Sequence, residues 1–173
     1  MHYTQTISSP LGNILLSADE VGLTGLWFDG GRYYADTLPE EHVERETPIL
    51  MDTKRWLDVY FTGREPDFTP MLHPTGSSFR QAVWQLLLEI PYGQTTTYGA
   101  LAKRLNAGRM SAQACGGAVG HNPISIIVPC HRVVGANGSL TGYAGGLDRK
   151  IRLLEIEQTD MHGLFRPKKG TAI

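Results

Sequence analysis

The chain has 173 residues, 41% of them hydrophobic, which suits one domain with a proper core or two small ones. It begins without an apolar targeting segment, and its apolar runs are too short to cross a bilayer, so we expect a cytoplasmic protein that does not enter a membrane. Two cysteines, Cys115 and Cys130, are too few for a disulfide framework and fit a reducing compartment. No group of cysteines and histidines has the spacing of zinc ligands, so we expect no metal.

The net charge of −1 hides an uneven distribution along the chain. Residues 1–75 hold 12 acidic and 5 basic residues, a net charge of −7, whereas residues 76–173 hold 5 acidic and 11 basic residues, a net charge of +6. This asymmetry predicts an anionic partner for the second half, although scattered solvated charges would give the same totals.

The N-terminal part is predicted to form a small sheet with one helix. Alternating apolar residues predict strands at 2–8, 13–18 and 23–28, joined by tight turns as in an antiparallel meander. Apolar residues at helical spacing over 47–61 predict a helix packed on that sheet. No catalytic grouping is visible in this part, so we expect it to provide structural support.

Residues 66–77 contain three prolines and read as a linker. They divide the chain into an N-terminal part, 1–75, and a C-terminal part, 76–173, in which the chemistry is expected.

Three helices are predicted at the start of the C-terminal part, over 79–90, 98–105 and 112–121, the last capped by Ser111. The second and third are short and joined by a turn at 107–110. They form a helix-turn-helix candidate, although an ordinary helical hairpin is commoner.

The third of these helices is almost without bulk. Each glycine in a helix costs up to ~1 kcal/mol relative to alanine, so something must approach its backbone closely. The approaching surface is a neighbouring helix, the wall of a nucleic-acid groove, or both. The small residues are Ala112, Ala114, Cys115, Gly116, Gly117, Ala118 and Gly120.

Residues 126–134 carry the strongest chemical signal. Three β-branched residues run into Pro129, and this run reads as a buried strand that ends there and presents Cys130 to a cleft. A buried, inert thiol is the ordinary alternative, but His131 and Arg132 are unusual neighbours for one. A thiol becomes a nucleophile when a base or a cation favours its thiolate.

The last predicted helix begins at Asp148, after a turn at 135–139 and a glycine-rich loop at 140–146. Glu157 falls on the buried face of that helix, where a carboxylate needs a partner unless the helix has frayed. A hydrogen bond from His131 would create a Glu–His–Cys relay. The tail after residue 158 reads as frayed.

The sequence Pro129-Cys130-His131-Arg132-Val133 resembles the active-site motif of the O6-alkylguanine-DNA alkyltransferases, also called methylated-DNA–protein-cysteine methyltransferases. The sequences at 120–123 and 142–146 match as well, and the resemblance covers residues 76–158 strongly and the N-terminal part loosely. It implies an α/β (α+β) fold of the bacterial, non-regulatory type. A small antiparallel, ribonuclease-H-like sheet with a helix precedes a mostly helical domain of the winged helix-turn-helix type.

The resemblance also implies a function. An alkyl group, usually methyl, passes irreversibly from O6 of guanine to Cys130 after base flipping, once per protein molecule and without a cofactor. Activity on O4 of thymine stays open. His131 acts through a water and Glu157 holds His131. Asn122 tethers the turn before the active-site segment, and Tyr98 protonates or polarises the leaving base. The protein is expected to be a monomer.

By the same resemblance, the guanine pocket is lined by Val119, Val133, Tyr143 and Ala144, and the small-residue helix enters the minor groove of double-stranded DNA. Gln113 stands where the family often has an arginine, which predicts weaker duplex affinity. The residues expected to contact DNA are Arg109, Ser111, Ala112, Gln113, Cys115, Gly116, Gly117 and Arg132.

Three other functions remain open from the sequence. A sensor of alkylated DNA would bind without reacting, but relatives of that type replace the cysteine. A cysteine hydrolase would use Cys130 and His131 repeatedly. A plain helix-turn-helix regulator would not need Cys130.

Overall fold

A computed structural model describes residues 1–105 and 112–167, with the side chain of Ala112 excluded. The elements in chain order are β1 (His2–Ile7), β2 (Ile14–Ala18), β3 (Leu23–Phe28), β4 (His42–Glu44), α1 (Pro48–Tyr60), α2 (Ser78–Leu87), β5 (Thr96–Thr97), α3 (Tyr98–Arg104), α4 (Ala112–Gly120), a 3₁₀ turn (Cys130–Arg132), β6 (Val133–Val134) and α5 (Leu147–Ile156).

The N-terminal sheet has the strand order β3-β2-β1-β4. The antiparallel pairs β1–β2 and β2–β3 form the predicted meander, and β4 lies parallel to β1. Sequence reasoning missed β4 because it has only three residues, all of them exposed, and therefore no hydrophobic alternation.

Helix α1 packs its apolar face on this sheet, as predicted. The Thr47 side chain caps it by accepting a hydrogen bond from the Leu50 N–H at 3.3 Å, and Pro48 occupies the first turn, where a missing N–H costs nothing. Its last residue, Tyr60, is fully buried beneath the C-terminal part of the chain.

The two parts share one main core rather than two. Leu26 and Tyr60 from the first part pack in the same cluster as Val83, Leu101 and Ile124 from the second. Strand β3 carries this contact further, because the Leu26 N–H donates to the Pro123 carbonyl at 2.8 Å. The C-terminal part therefore packs directly against the sheet.

Helices α3 and α4 lie in contact with each other, and α4 also packs on α2. The Trp84 Nε1–H donates to the carbonyl of Ala118 at 2.9 Å, which joins α2 to α4. The predicted helices are confirmed, whereas the predicted turn at 107–110 lies outside the described residues.

The strand predicted to run from residue 126 to Pro129 is wrong. The segment is a buried turn followed by the 3₁₀ turn, and only β6 pairs, in parallel, with β5. Asn122 organises it, since its Nδ2 donates to the carbonyls of Ile124 and Val128 at 3.2 and 2.8 Å and its Oδ1 accepts from the Ile124 N–H at 3.0 Å. Ile126 has a φ of 71°, and Pro129 offers no N–H for a ladder. Ile126, Ile127 and Val128 are β-branched and buried, and such a run in a sequence predicts a strand even where the backbone forms a turn.

After α5, the described residues up to 167 pack against the protein, whereas we expected the tail after residue 158 to be frayed; residues 168–173 lie outside the described residues. The Leu140 N–H donates to the carbonyl of Phe165 at 2.8 Å, and Arg166 pairs with Asp148 at 2.7 Å. In the described part of the chain, no helix combines the length and the apolar character that a bilayer span requires.

Candidate active site

Glu157 is the centre of the site. It caps the C-terminal end of α5 and is almost fully buried, as its position on the apolar face of that helix predicted. Oε2 accepts hydrogen bonds from His131 Nε2 at 2.5 Å and from the Tyr60 hydroxyl at 2.6 Å, and Oε1 accepts from Arg132 Nε at 2.8 Å and from the Gly93 N–H at 3.2 Å. Both carboxylate oxygens thus accept two hydrogen bonds each, and the four donors come from three separate segments.

These contacts keep Glu157 ionised. Burial raises the pKa of its carboxyl, but the interactions with His131 and Arg132 hold that pKa well below its usual range. A buried carboxylate is tolerated only when it is paired in this way.

His131 is fully buried, and its ring is fixed by Glu157. Burial lowers the pKa of the imidazole, with the Glu157 carboxylate acting in the opposite direction, so the ring is neutral at physiological pH. A neutral ring whose Nε2 faces a carboxylate carries its proton on Nε2. Nδ1 has no hydrogen-bond partner among the described residues, so it is a basic nitrogen available to a neighbouring proton donor.

Cys130 lies at the start of the same 3₁₀ turn and is 4% exposed. The sequence predicted a thiol that faces an open cleft, and the structure encloses it instead. Burial raises the pKa of the thiol, while Asn122 and Lys150 oppose that shift. The resting group is therefore a neutral thiol, and a base must remove its proton during any reaction.

Tyr98 begins α3 and lies between the small-residue helix and the glycine-rich loop. Its hydroxyl donates to the Thr141 carbonyl at 3.1 Å, and burial together with Cys130 raises its pKa. A side chain at Gly142 would place its Cβ 2.4 Å from the Tyr98 hydroxyl, and Gly142 has a φ of +81°. Glycine is therefore required there both by space and by backbone conformation.

The family models cover both parts of the chain. One, described as the DNA binding domain of 6-O-methylguanine DNA methyltransferase, matches residues 78–159, and another, described as its ribonuclease-like domain, matches residues 1–74. The chain belongs to the 6-O-methylguanine DNA methyltransferase family. This assignment confirms the resemblance that the Cys130 motif indicated.

Relatives in this family match the chain over nearly its whole length. The methylated-DNA–protein-cysteine methyltransferase of Methanosarcina acetivorans is 46% identical over 90% of this chain and 97% of its own length. The Haemophilus influenzae protein of the same name is 41% identical over 91% of this chain and 87% of its own length. The structure of Mycobacterium tuberculosis OGT in complex with DNA superposes with a TM-score of 0.80 at 41% identity, covering 90% of this chain and 92% of that one. The predicted fold class is thereby confirmed.

Three of the residues that the methyltransferase resemblance assigned to a guanine pocket, Val119, Val133 and Tyr143, belong to the same buried cluster as Cys130. Val119 and Val133 are fully buried, and the ring of Tyr143 stands edge-on to that of His131 at 6.3 Å. Ala144 accepts a hydrogen bond from the Arg32 N–H at 2.8 Å. The guanidinium of Arg149 fastens the same loop to two turns of the N-terminal part by donating to the carbonyls of Gly145, Leu11 and Asp29 at 3.1, 2.9 and 3.0 Å.

Two residues predicted to contact DNA are buried in this structure. Arg132 is 8% exposed, because it donates to Glu157 and, through Nη1, to the Ile90 carbonyl at 2.6 Å. Cys115 is fully buried on the inner face of α4.

The outer face of α4 fits the expectation better. Gln113 and Gly117 are exposed, whereas Gly116 is half-buried, with an added Cβ 3.7 Å from the ring of Tyr98. One glycine therefore admits a neighbouring aromatic ring, and the other leaves the outer surface slim. Arg109, Ser111 and the side chain of Ala112 lie outside the described residues.

Sequence reasoning missed Lys150 and Tyr60. Lys150 is fully buried, with Nζ donating to the carbonyls of Val133 and Thr141 at 2.6 and 2.5 Å, and burial lowers its pKa to about 8, with Cys130 opposing. Its position seven residues before Glu157 puts it on the same helical face, which is a usable signal. Nothing near Tyr60 in the sequence points to Glu157, because the contact spans 97 residues.

Proposed function

We propose that this protein repairs alkylated double-stranded DNA by moving an alkyl group, methyl in the simplest case, from O6 of guanine to Sγ of Cys130. Relatives at 46% and 41% identity are named for methylated DNA and a protein cysteine. The observation that carries the assignment to Cys130 is the buried Glu157–His131 pair, which leaves Nδ1 of His131, the next residue in the chain after Cys130, as a base without a partner among the described residues.

In the transfer step the thiol proton moves to His131 Nδ1, directly or through a bridging water. The sulfur forms a bond to the alkyl carbon while the bond from that carbon to O6 breaks. The electron pair of the broken bond goes to the guanine, which takes up one proton from the Tyr98 hydroxyl or from water and so becomes the normal base, still attached to the DNA. The Glu157 carboxylate compensates the charge of the imidazolium that forms. A thioether is stable, so one protein molecule repairs one lesion without a cofactor.

The target oxygen is inaccessible inside stacked DNA, so the nucleotide must be extruded into the pocket beside Cys130. We assign the outer face of α4, with Gln113 and Gly117, to the minor groove, where a slim helix needs less deformation of the duplex. The Tyr98 hydroxyl donates to the Thr141 carbonyl in the glycine-rich loop, and during the reaction it would donate to the leaving base instead. Val133 and Ala144 contribute main-chain groups to the guanine.

We assign residues 76–173 to DNA binding and chemistry and residues 1–75 to the support of that part. The reaction consumes a reduced thiol, and both described cysteines are unpaired, which supports a cytoplasmic location. One copy of the chain contains every residue that the proposed step uses, which supports a monomer.

Intact-mass spectrometry tests the proposal. The protein is incubated with a duplex that carries O6-methylguanine, and we expect a gain of one methyl group per molecule, abolished in Cys130→Ser. Cys115→Ala is the matched control, since it removes the other buried thiol and should leave the gain intact. Multiple turnovers would favour a hydrolase, and binding without a mass gain would favour a sensor or a regulator.

A further inference from the structure

Tyr60 reaches the active site from the N-terminal part of the chain. It is the last residue of α1 and is fully buried, and its hydroxyl donates to Glu157 Oε2 at 2.6 Å. The ring cannot turn away, because Trp56 stacks on it at 5.2 Å and Phe61 and Tyr92 meet it edge-on at 5.4 and 6.3 Å. The direction of its hydroxyl is therefore fixed by the core.

The oxygen that accepts from Tyr60 is the one that accepts from His131. Two donors on one carboxylate oxygen draw on the same electron density, so each weakens the basicity available to the other. Burial, and then the Glu157 charge, raise the pKa of Tyr60 well above its ordinary value, so this hydroxyl stays a donor. Oε2 must then act as the acceptor toward both neighbours.

This arrangement determines where the protons of His131 lie. Because Oε2 is an obligatory acceptor, Nε2 keeps its proton and Nδ1 keeps its lone pair. When the ring takes a second proton from Cys130, a carboxylate weakened by Tyr60 leaves the Nε2 proton on the imidazolium. The ion pair then stabilises the reacting state without the proton passing to Glu157.

We propose that Tyr60 is a positioning residue for alkyl transfer, which holds Glu157 ionised and oriented so that His131 presents Nδ1 to Cys130. This inference rests on the proposed function and gives the N-terminal part a role in the chemistry beyond support. Tyr60 acts through Glu157 and touches neither the thiol nor the base.

Tyr60→Phe is expected to change the pH dependence of the transfer rate. Losing one donor makes Glu157 more basic and stabilises the imidazolium, so the acid limb of the profile, which reports neutral His131, moves to higher pH by about one unit. Below the shifted pKa the rate falls by up to about 10-fold, since a shift of one unit leaves a tenfold smaller fraction of His131 neutral. The other titratable groups facing this pair stay in place in the variant, namely Arg132, Lys150, Tyr92, Tyr143 and Cys130.

Tyr92→Phe is the matched control. It removes a hydroxyl from the neighbouring ring, where the hydroxyl meets only the Ile156 carbonyl at 3.5 Å, and it leaves the donors of Glu157 unchanged. Single-turnover methylation of each protein by a duplex with O6-methylguanine is followed by mass across about pH 5 to 9. Thermal unfolding of both variants measures what the lost hydroxyls cost in stability.

A fluorinated tyrosine at position 60 supplies a second variant of nearly unchanged size. Its hydroxyl is a stronger donor, so it should move the acid limb of the profile to lower pH, opposite to Tyr60→Phe. If the phenylalanine variant does not fold, the fluorinated variant alone tests the positioning role. Profiles of both position-60 variants that coincide with those of wild type and Tyr92→Phe would overturn the positioning role. A wild-type protein that gains no methyl group would instead overturn the proposed function.

Discussion

Arg132→Met tests whether this arginine belongs to the core or to a DNA-binding surface. In the structure the guanidinium is buried and donates to Glu157 and to the Ile90 carbonyl. Removing one partner of a buried ion pair costs about 3–5 kcal/mol, because the other charge stays buried. Glu157 would keep three of its four donors, so we expect the lower end, about 3 kcal/mol. That is a large share of the ~5–15 kcal/mol that stabilises a typical domain.

Urea unfolding measures this loss. With a slope of ~2 kcal/mol per M, the midpoint of Arg132→Met should fall by ~1.5 M. Arg104→Met is the control, since Arg104 pairs with Glu89 at 2.9 Å on the surface and its loss should cost at most ~1 kcal/mol.

Duplex binding is an independent test of whether Arg132 contacts DNA. The folded Arg132→Met protein should keep the wild-type salt dependence, because a buried guanidinium neutralises no phosphate. The alternative result is a slope of log affinity against log salt concentration that is reduced by ~0.9, together with a stability loss no larger than that of Arg104→Met. It would show that Arg132 contacts DNA and would refute its assignment to the core.

Two further predictions concern the outer face of α4. Gln113→Arg should raise duplex affinity and steepen the slope of log affinity against log salt concentration by ~0.9. Unchanged binding and repair rates would argue against contact between this position and DNA. Gly117→Ala should raise the unfolding free energy by up to ~1 kcal/mol, since an added Cβ meets open space, yet weaken duplex binding by thickening the helix. Titrations with a fluorescent duplex and thermal unfolding separate these two effects, and unaltered affinity would contradict the placement of α4 in a groove.

Local patterns predicted the parts of the fold that periodicity governs. The three strands of the meander and the helices were visible because their apolar spacing matches a sheet face or a helix face. Glu157 was found for the same reason, since it follows Leu153 and Leu154 by four and three residues. A carboxylate on an apolar stripe is a strong sequence signal because its burial requires partners.

The features that sequence reasoning missed depend on contacts between distant segments. The direction of Arg132 follows from Glu157 and the Ile90 carbonyl, which lie 25 and 42 residues away in the chain. The motif around Cys130 suggested a strand because β-branched residues are buried there, but the side chain of Asn122 binds the backbone into a turn. Neither contact leaves a periodic pattern.

Glu157 should link the stability of the protein to acid pH. The pKa of its carboxyl is held far below its ordinary value of 4.5 in the folded state, so the unfolded state binds its proton first as the pH falls. The contribution of this carboxylate is complete above about pH 4.5 and is lost progressively below it, down to the pKa of the folded state. Acidification should therefore remove the same stabilisation that a substitution removes at neutral pH.

Glu157→Gln makes this linkage measurable. At neutral pH the variant should lose about 3–5 kcal/mol, because Arg132 stays buried without its counter-charge. Below about pH 4.5 the wild type loses the stabilising carboxylate while the glutamine has none to lose, so the gap between their unfolding free energies should narrow. Glu155→Gln, exposed on the same helix, is the control and should cost at most ~1 kcal/mol at neutral pH. A gap between wild type and Glu157→Gln that stays constant down to the acid transition would mean that Glu157 is not held ionised by its four donors.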